Sequence, residues 1–142
     1  MLPFIGYHVC DYLQHWLDIG KKTDPDKLPK IFYVNWFRKD ENGKFMWPGF
    51  GENSRVIKWI IERVSGQGHA IETPIGYMPT PEDIDTQGLD IKPGNLEKLL
   101  EVNKDMWLQE IASIKQYFQK FDRLPQEMKD QLKALEQRIL AY

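Results

Sequence analysis

The sequence predicts a mostly helical α+β unit, and three observations lead there. Apolar residues recur at helical spacing through much of the chain, most plainly in its last third. One run, residues 31–37, is β-branched and aromatic throughout, which is strand composition. Between 35 and 55 lies a stretch that fits neither pattern, with five aromatic rings set among glycines, asparagines and charges. The expected architecture is one central apolar strand, a short aromatic hairpin or loop, and a C-terminal set of helices.

Taken in order, Tyr7, Val9, Cys10, Leu13, Trp16 and Leu17 predict a helix over 7–19, with Gly20 as its stop. Residues 21–29, polar and broken by two prolines, read as a loop. The 31–37 strand is apolar on both faces, so it belongs inside a sheet whose other strands this chain hardly supplies. Asn42-Gly43 signals a two-residue hairpin turn, and Pro48 and Gly49 end any second strand. A helix follows from 53 to about 65, with Val56, Ile57, Ile60, Ile61 and Val64 expected to face inward and Gly66 and Gly68 to close it. Residues 70–78 suit one or two short extended pieces, and 79–94 an irregular connection. Three helices then complete the chain, over 95–101, 104 to about 121, and 126–141.

Composition narrows the function. At 142 residues, 42% apolar and 28% charged, the chain has the make-up of one globular domain. A net charge of −2 argues against a nucleic-acid partner, because phosphate neutralisation calls for a basic excess. No apolar run is long enough to span a membrane, and the N-terminus lacks the pattern of a signal peptide. The single cysteine, Cys10, excludes an internal disulfide and suits a reducing, cytoplasmic setting. An aromatic content of 13% signals a large core, a binding surface, or a face cut away from a partner domain.

Conventional catalytic groups are hard to find. His8, His15 and His69 show no metal-ligand spacing and read as surface or satisfied core residues. Cys10 reads as a small buried side chain. No Gly-x-x-x-x-Gly-Lys-Ser/Thr motif is present to wrap a triphosphate. The aromatic stretch is the best candidate, as a binding site for a flat, hydrogen-bonding ligand such as a nucleobase. Two plainer readings stand beside it. Phe37, Phe45 and Phe50 would equally pack a small core, and Asn53 would equally cap the helix that starts there.

At these same residues the chain resembles the C-terminal part of GTP-dependent phosphoenolpyruvate carboxykinase. The resemblance is carried by KIFYVNWFRKD (30–40), GKFMWPGFGENSRV (43–56) and TPIGYMP (73–79). It runs over nearly the whole chain and is weakest in the last two helices. It implies one C-terminal segment, 1–142, of a nucleotide-binding lobe, with 1–94 holding helix, strand, base loop and connection and 95–142 a helical tail. It further implies a parent enzyme that converts oxaloacetate and GTP to phosphoenolpyruvate, CO2 and GDP with divalent manganese or magnesium. By resemblance, Phe37, Phe45 and Phe50 form a guanine pocket, Trp36 lies beside them, Asn53 bonds the base, and backbone near Gly51 serves its other edge. The family's phosphate loop, metal ligands, reactive cysteine, substrate arginines and lid belong upstream. The segment alone is therefore expected to bind GTP or GDP weakly, to hold no metal and to catalyse nothing. It should need the remainder of the parent polypeptide as partner. A non-enzymatic helical interaction module, with a purely structural aromatic cluster, is the alternative.

One conflict lies within the sequence itself. A regular two-residue hairpin at Asn42-Gly43 would set Phe45 opposite Asp40, so that Phe37 points to the other face. For both rings to meet one base, the ladder must be short or its register broken.

Overall fold

The computed structural model describes residues 2–142, and they form two compact units. One joins the residues up to Pro29 with Asn103–Tyr142, and the other is Lys30–Val102. By this grouping the first helix goes with the tail, and residues 95–102 go with the central unit.

In the terminal unit, helix α1 (Val9–Lys21) begins where the His8 ring accepts the Cys10 N–H through Nδ1 at 3.2 Å. His8 is thus an N-cap, a structural role in keeping with its sequence reading. Gly20 does not stop this helix, which runs one residue beyond it. The predicted start at 7 also moves to Val9, after the cap. Helices α4 (Lys104–Phe118) and α5 (Gln126–Ala141) pack together, and Asn103 caps α4 by accepting the Met106 N–H. The unit buries Cys10, Ile111, Leu124 and Ile139. Burial raises the Cys10 thiol above its ordinary pKa, helped by the carboxylates of Asp122 and Asp11, which makes it a poor nucleophile.

The central unit holds helix α2 (Asn53–Val64), helix α3 (Asn95–Leu100) and a hairpin of β1 (Ile71–Thr73) and β2 (Gly76–Met78). These two strands are antiparallel, with Glu72 opposite Tyr77, and answer the short extended pieces expected over 70–78. Their core is Trp47, Trp59 and Ile84, with Phe32, Trp36, Val56 and Ile60 packed around it. Trp59 donates its indole N–H to the His69 carbonyl at 2.9 Å, so this buried ring leaves no polar atom unsatisfied.

The α+β class holds, but two parts of the expectation need correction. Residues 31–37 form no ladder. Phe32, Val34 and Trp36 are half-buried while Ile31, Tyr33 and Phe37 are exposed, so burial alternates as in an extended chain without strand partners. The apolar stripe of α2 is also only half covered. Val56 and Ile60 meet the core beside Trp59, whereas Ile57, Ile61 and Val64 are exposed. The helix turns its tryptophan inward because the large ring removes the most apolar area from water.

Candidate functional site

The aromatic stretch is built on a small hairpin whose turn is not the two-residue one expected. Asp40 N–H donates to the Lys44 carbonyl at 2.8 Å, and Gly43 N–H donates to the Asp40 carbonyl at 3.0 Å. Three residues, Glu41 to Gly43, therefore form the loop, with Gly43 at φ +75° in the left-handed region. The Asp40 carboxylate accepts both the Asn42 and Lys44 N–H groups through Oδ1, at 3.0 and 2.9 Å. Donation by the Lys44 N–H, then by that of Asn42, lowers the Asp40 pKa against an opposing desolvation effect.

This loop slips the register by one residue. Lys39, not Asp40, bridges to Phe45. Phe37, two residues before Lys39, then shares a face with Phe45, and their centroids lie 6.2 Å apart at 62°. The Lys39 ammonium sits 5.1 Å from the Phe45 centroid. A short bridge and a longer loop thereby resolve the conflict that the sequence poses.

After Phe45 the chain dives inward and returns. Met46 and Trp47 are buried, Gly49 has φ +77°, and Phe50 follows at φ +50°. Phe50 is the one non-glycine residue with positive φ among the described residues, in a conformation that disfavours large side chains. Its ring is 100% exposed, beside 72% for Phe37 and 51% for Phe45. A core-only aromatic cluster does not look like this. Phe50 makes no ring contact with the Phe37–Phe45 pair among the described residues. A polar cleft of about 230 Å³ behind the hairpin, lined by Arg38, Asp40, Met46, Asn95 and Glu101 among others, includes none of these three rings and not Asn53.

Asn53 is the first residue of α2, but its oxygen does not cap the helix. It accepts the Trp47 indole N–H at 2.9 Å, which ties the two ends of the 47–53 loop together. Helical entry is handled by the backbone instead, since the Asn53 N–H donates to the carbonyls of Gly51 and Phe50. Ser54 Oγ also donates to the Gly51 carbonyl at 2.7 Å. Gly51 is exposed with open space around its Cα, while Trp36 packs against the core. The structure thus joins Phe37 to Phe45 and Asn53 to Trp47, and packs a half-buried Trp36 against the core. Sequence reasoning assigns Trp47 no role, although a tryptophan six residues before an asparagine in a glycine-rich loop needs a hydrogen-bond acceptor.

A family model described as the phosphoenolpyruvate carboxykinase C-terminal P-loop domain matches residues 1–138. The chain belongs to this family. It is 54% identical over 143 residues to phosphoenolpyruvate carboxykinase (GTP) of Neocallimastix frontalis, covering 99% of this chain and 23% of that protein. The protein of the same name from Paenarthrobacter aurescens is 49% identical over 140 residues, covering 98% of this chain and 23% of its own length. The chain therefore spans about a quarter of the length of the relatives it matches. Family likeness continues through most of the last helix, beyond the quoted motifs.

The chain shows no group of three or more His, Cys, Asp or Glu side chains able to hold a metal ion among its described residues. No helix among the described residues is long and apolar enough to cross a membrane.

Proposed function

We propose that this chain supplies the guanine-recognising part of a GTP-dependent phosphoenolpyruvate carboxykinase. The exposure of Phe37, Phe45 and Phe50 carries the reading, because apolar rings on one hairpin and the next loop suit a planar ligand better than water. Stacking on a purine contributes about 1–3 kcal/mol per base and tolerates any base. Selectivity then falls to hydrogen bonds. Guanine presents an O6 acceptor where adenine presents an amino donor, and the Asn53 Nδ2 is a donor that no described residue uses. Backbone near Gly51 serves the other base edge, and Trp36 lies beside the rings.

The rest of the polypeptide supplies phosphate binding, the manganese or magnesium ligands and the decarboxylation of oxaloacetate to phosphoenolpyruvate and CO2, with GDP as second product. Two features favour such a covering partner. Ile31 and Tyr33, 81% and 95% exposed, lie on a segment without strand neighbours, and Ile57, Ile61 and Val64 form an uncovered row. Buried Cys10 suits a reducing, cytoplasmic setting.

The test compares GTP and ATP as substrates of the full-length enzyme carrying Phe50→Ala or Asn53→Ala. Both substitutions should raise the KM for GTP, and Asn53→Ala should also lower the preference for GTP over ATP. Unchanged kinetics in both variants would place the base elsewhere and favour a purely structural aromatic cluster.

A further inference from the structure

We infer that Trp47 is a positioning residue for base selectivity: its indole N–H fixes the Asn53 amide so that Nδ2, not Oδ1, is offered to the base. The inference rests on the guanine reading above and names a residue which that reading does not contain.

An asparagine amide is ambivalent by itself. One edge donates and the other accepts, and half a turn about its terminal torsion exchanges them. Free to turn, Asn53 would offer Nδ2 to the O6 of guanine or Oδ1 to the amino group of adenine with similar ease. Selectivity therefore needs something that distinguishes the two orientations.

Trp47 does this because an indole N–H donates and never accepts. With Oδ1 toward it, the pair forms the observed 2.9 Å hydrogen bond. With the amide turned, two donors would confront each other and the N–H would lose its partner. The ring cannot swing away to relieve this, since Trp47 is buried against Trp59 and Ile84. Among the described residues the α2 backbone does not compete for Oδ1, because backbone carbonyls take the Asn53 N–H and no side chain caps the helix. An unsatisfied buried donor favours the observed orientation by roughly 5- to 150-fold. That factor is the share of base discrimination assigned to Trp47.

The experiment uses the full-length enzyme with three changes: Trp47→Phe, replacement of Trp47 by benzothienylalanine, and Asn53→Ala. Benzothienylalanine keeps the bicyclic shape and exchanges the N–H for sulfur, so it serves if the smaller phenylalanine disturbs folding. GTP, ITP and ATP are compared by kcat/KM. Loss of the indole N–H should lower the GTP-to-ATP ratio by about 5- to 150-fold, mainly through KM. ITP, which shares O6, should follow GTP. Trp47→Phe should change the ratio no further once Asn53→Ala is present.

A ratio that survives both Trp47 changes but collapses in Asn53→Ala would overturn the positioning role and leave the guanine reading standing. If the ratio is intact in Asn53→Ala as well, both fail. Equal losses with GTP and ATP, together with a lower Tm, would reduce Trp47 to a core residue.

Discussion

Phe45 stands opposite Lys39 rather than Asp40, and this single residue of register is why its ring meets that of Phe37. The side-chain period of an extended strand is two, so a slip of one exchanges faces completely. Gly43 allows the slip. Its left-handed φ closes a three-residue loop, and the Asp40 carboxylate holds that loop by two backbone N–H groups.

Gly43→Ala should therefore cost stability without touching any packed atom, since open space surrounds its Cα. A Cβ in the left-handed region costs about 1–2 kcal/mol. The expected outcome is a lower Tm for the full-length enzyme and a few-fold rise in the KM for GTP as the ring pair loosens. An unchanged Tm would show that the loop adopts another turn at no cost.

The same hairpin carries a pH dependence with a definite sign. The Asp40 pKa is lowered in the folded state, first by the Lys44 N–H and then, against desolvation, by that of Asn42 and by Lys92. Its stabilising effect is accordingly present above the ordinary value of 3.8 and is lost as pH falls through the lower folded value. Amide protection of Asn42 and Lys44, followed by NMR hydrogen exchange, should decline below that ordinary value. Asp40→Asn keeps an acceptor oxygen but cannot titrate, so this decline should vanish in the variant.

How much of this is legible in the sequence depends on the range of the interaction. Periodicity marks helices α2 to α5, and α4 falls short at Phe118 where turns take over. The 31–37 segment reads as a strand because its composition is right, but a ladder needs neighbours and none is present among the described residues. Asn42-Gly43 marks a turn correctly while hiding its length, which the Asp40 side chain decides from outside the dipeptide. Trp59 is masked in the sequence because the Ile57–Ile61–Val64 row looks like the buried face. Asn53 is ambiguous between cap and ligand reader, and only the distant indole of Trp47 resolves where its oxygen goes.

Phe50 presents a trade between stability and binding. It holds φ +50° with a fully exposed ring, so the fold bears the strain and gains no packing. Asparagine tolerates that backbone better. Phe50→Asn should raise the Tm slightly, equivalent to about 0.5–1 kcal/mol, while weakening GTP by roughly 5- to 150-fold through lost stacking. Thermal unfolding and GTP titration on the same preparation give both signs at once. A variant both less stable and unimpaired in GTP binding would contradict each half of the argument.

The two faces of α2 should respond differently to substitution, and the difference tests the covering surface proposed above. Trp59→Ala removes a buried ring and should cost about 3–5 kcal/mol in the segment and the full-length enzyme alike. Ile61 is exposed, so Ile61→Ser should move the stability of the segment by no more than about 0.5 kcal/mol. In the full-length enzyme, Ile61 is expected under a covering surface, where the same change creates a cavity and buries a hydroxyl at about 2–4 kcal/mol. Parallel thermal unfolding of both proteins separates the cases. Equal, small effects of Ile61→Ser in both would mean that this row faces water in the whole enzyme, and the covering partner would have to lie on the Ile31–Tyr33 side alone.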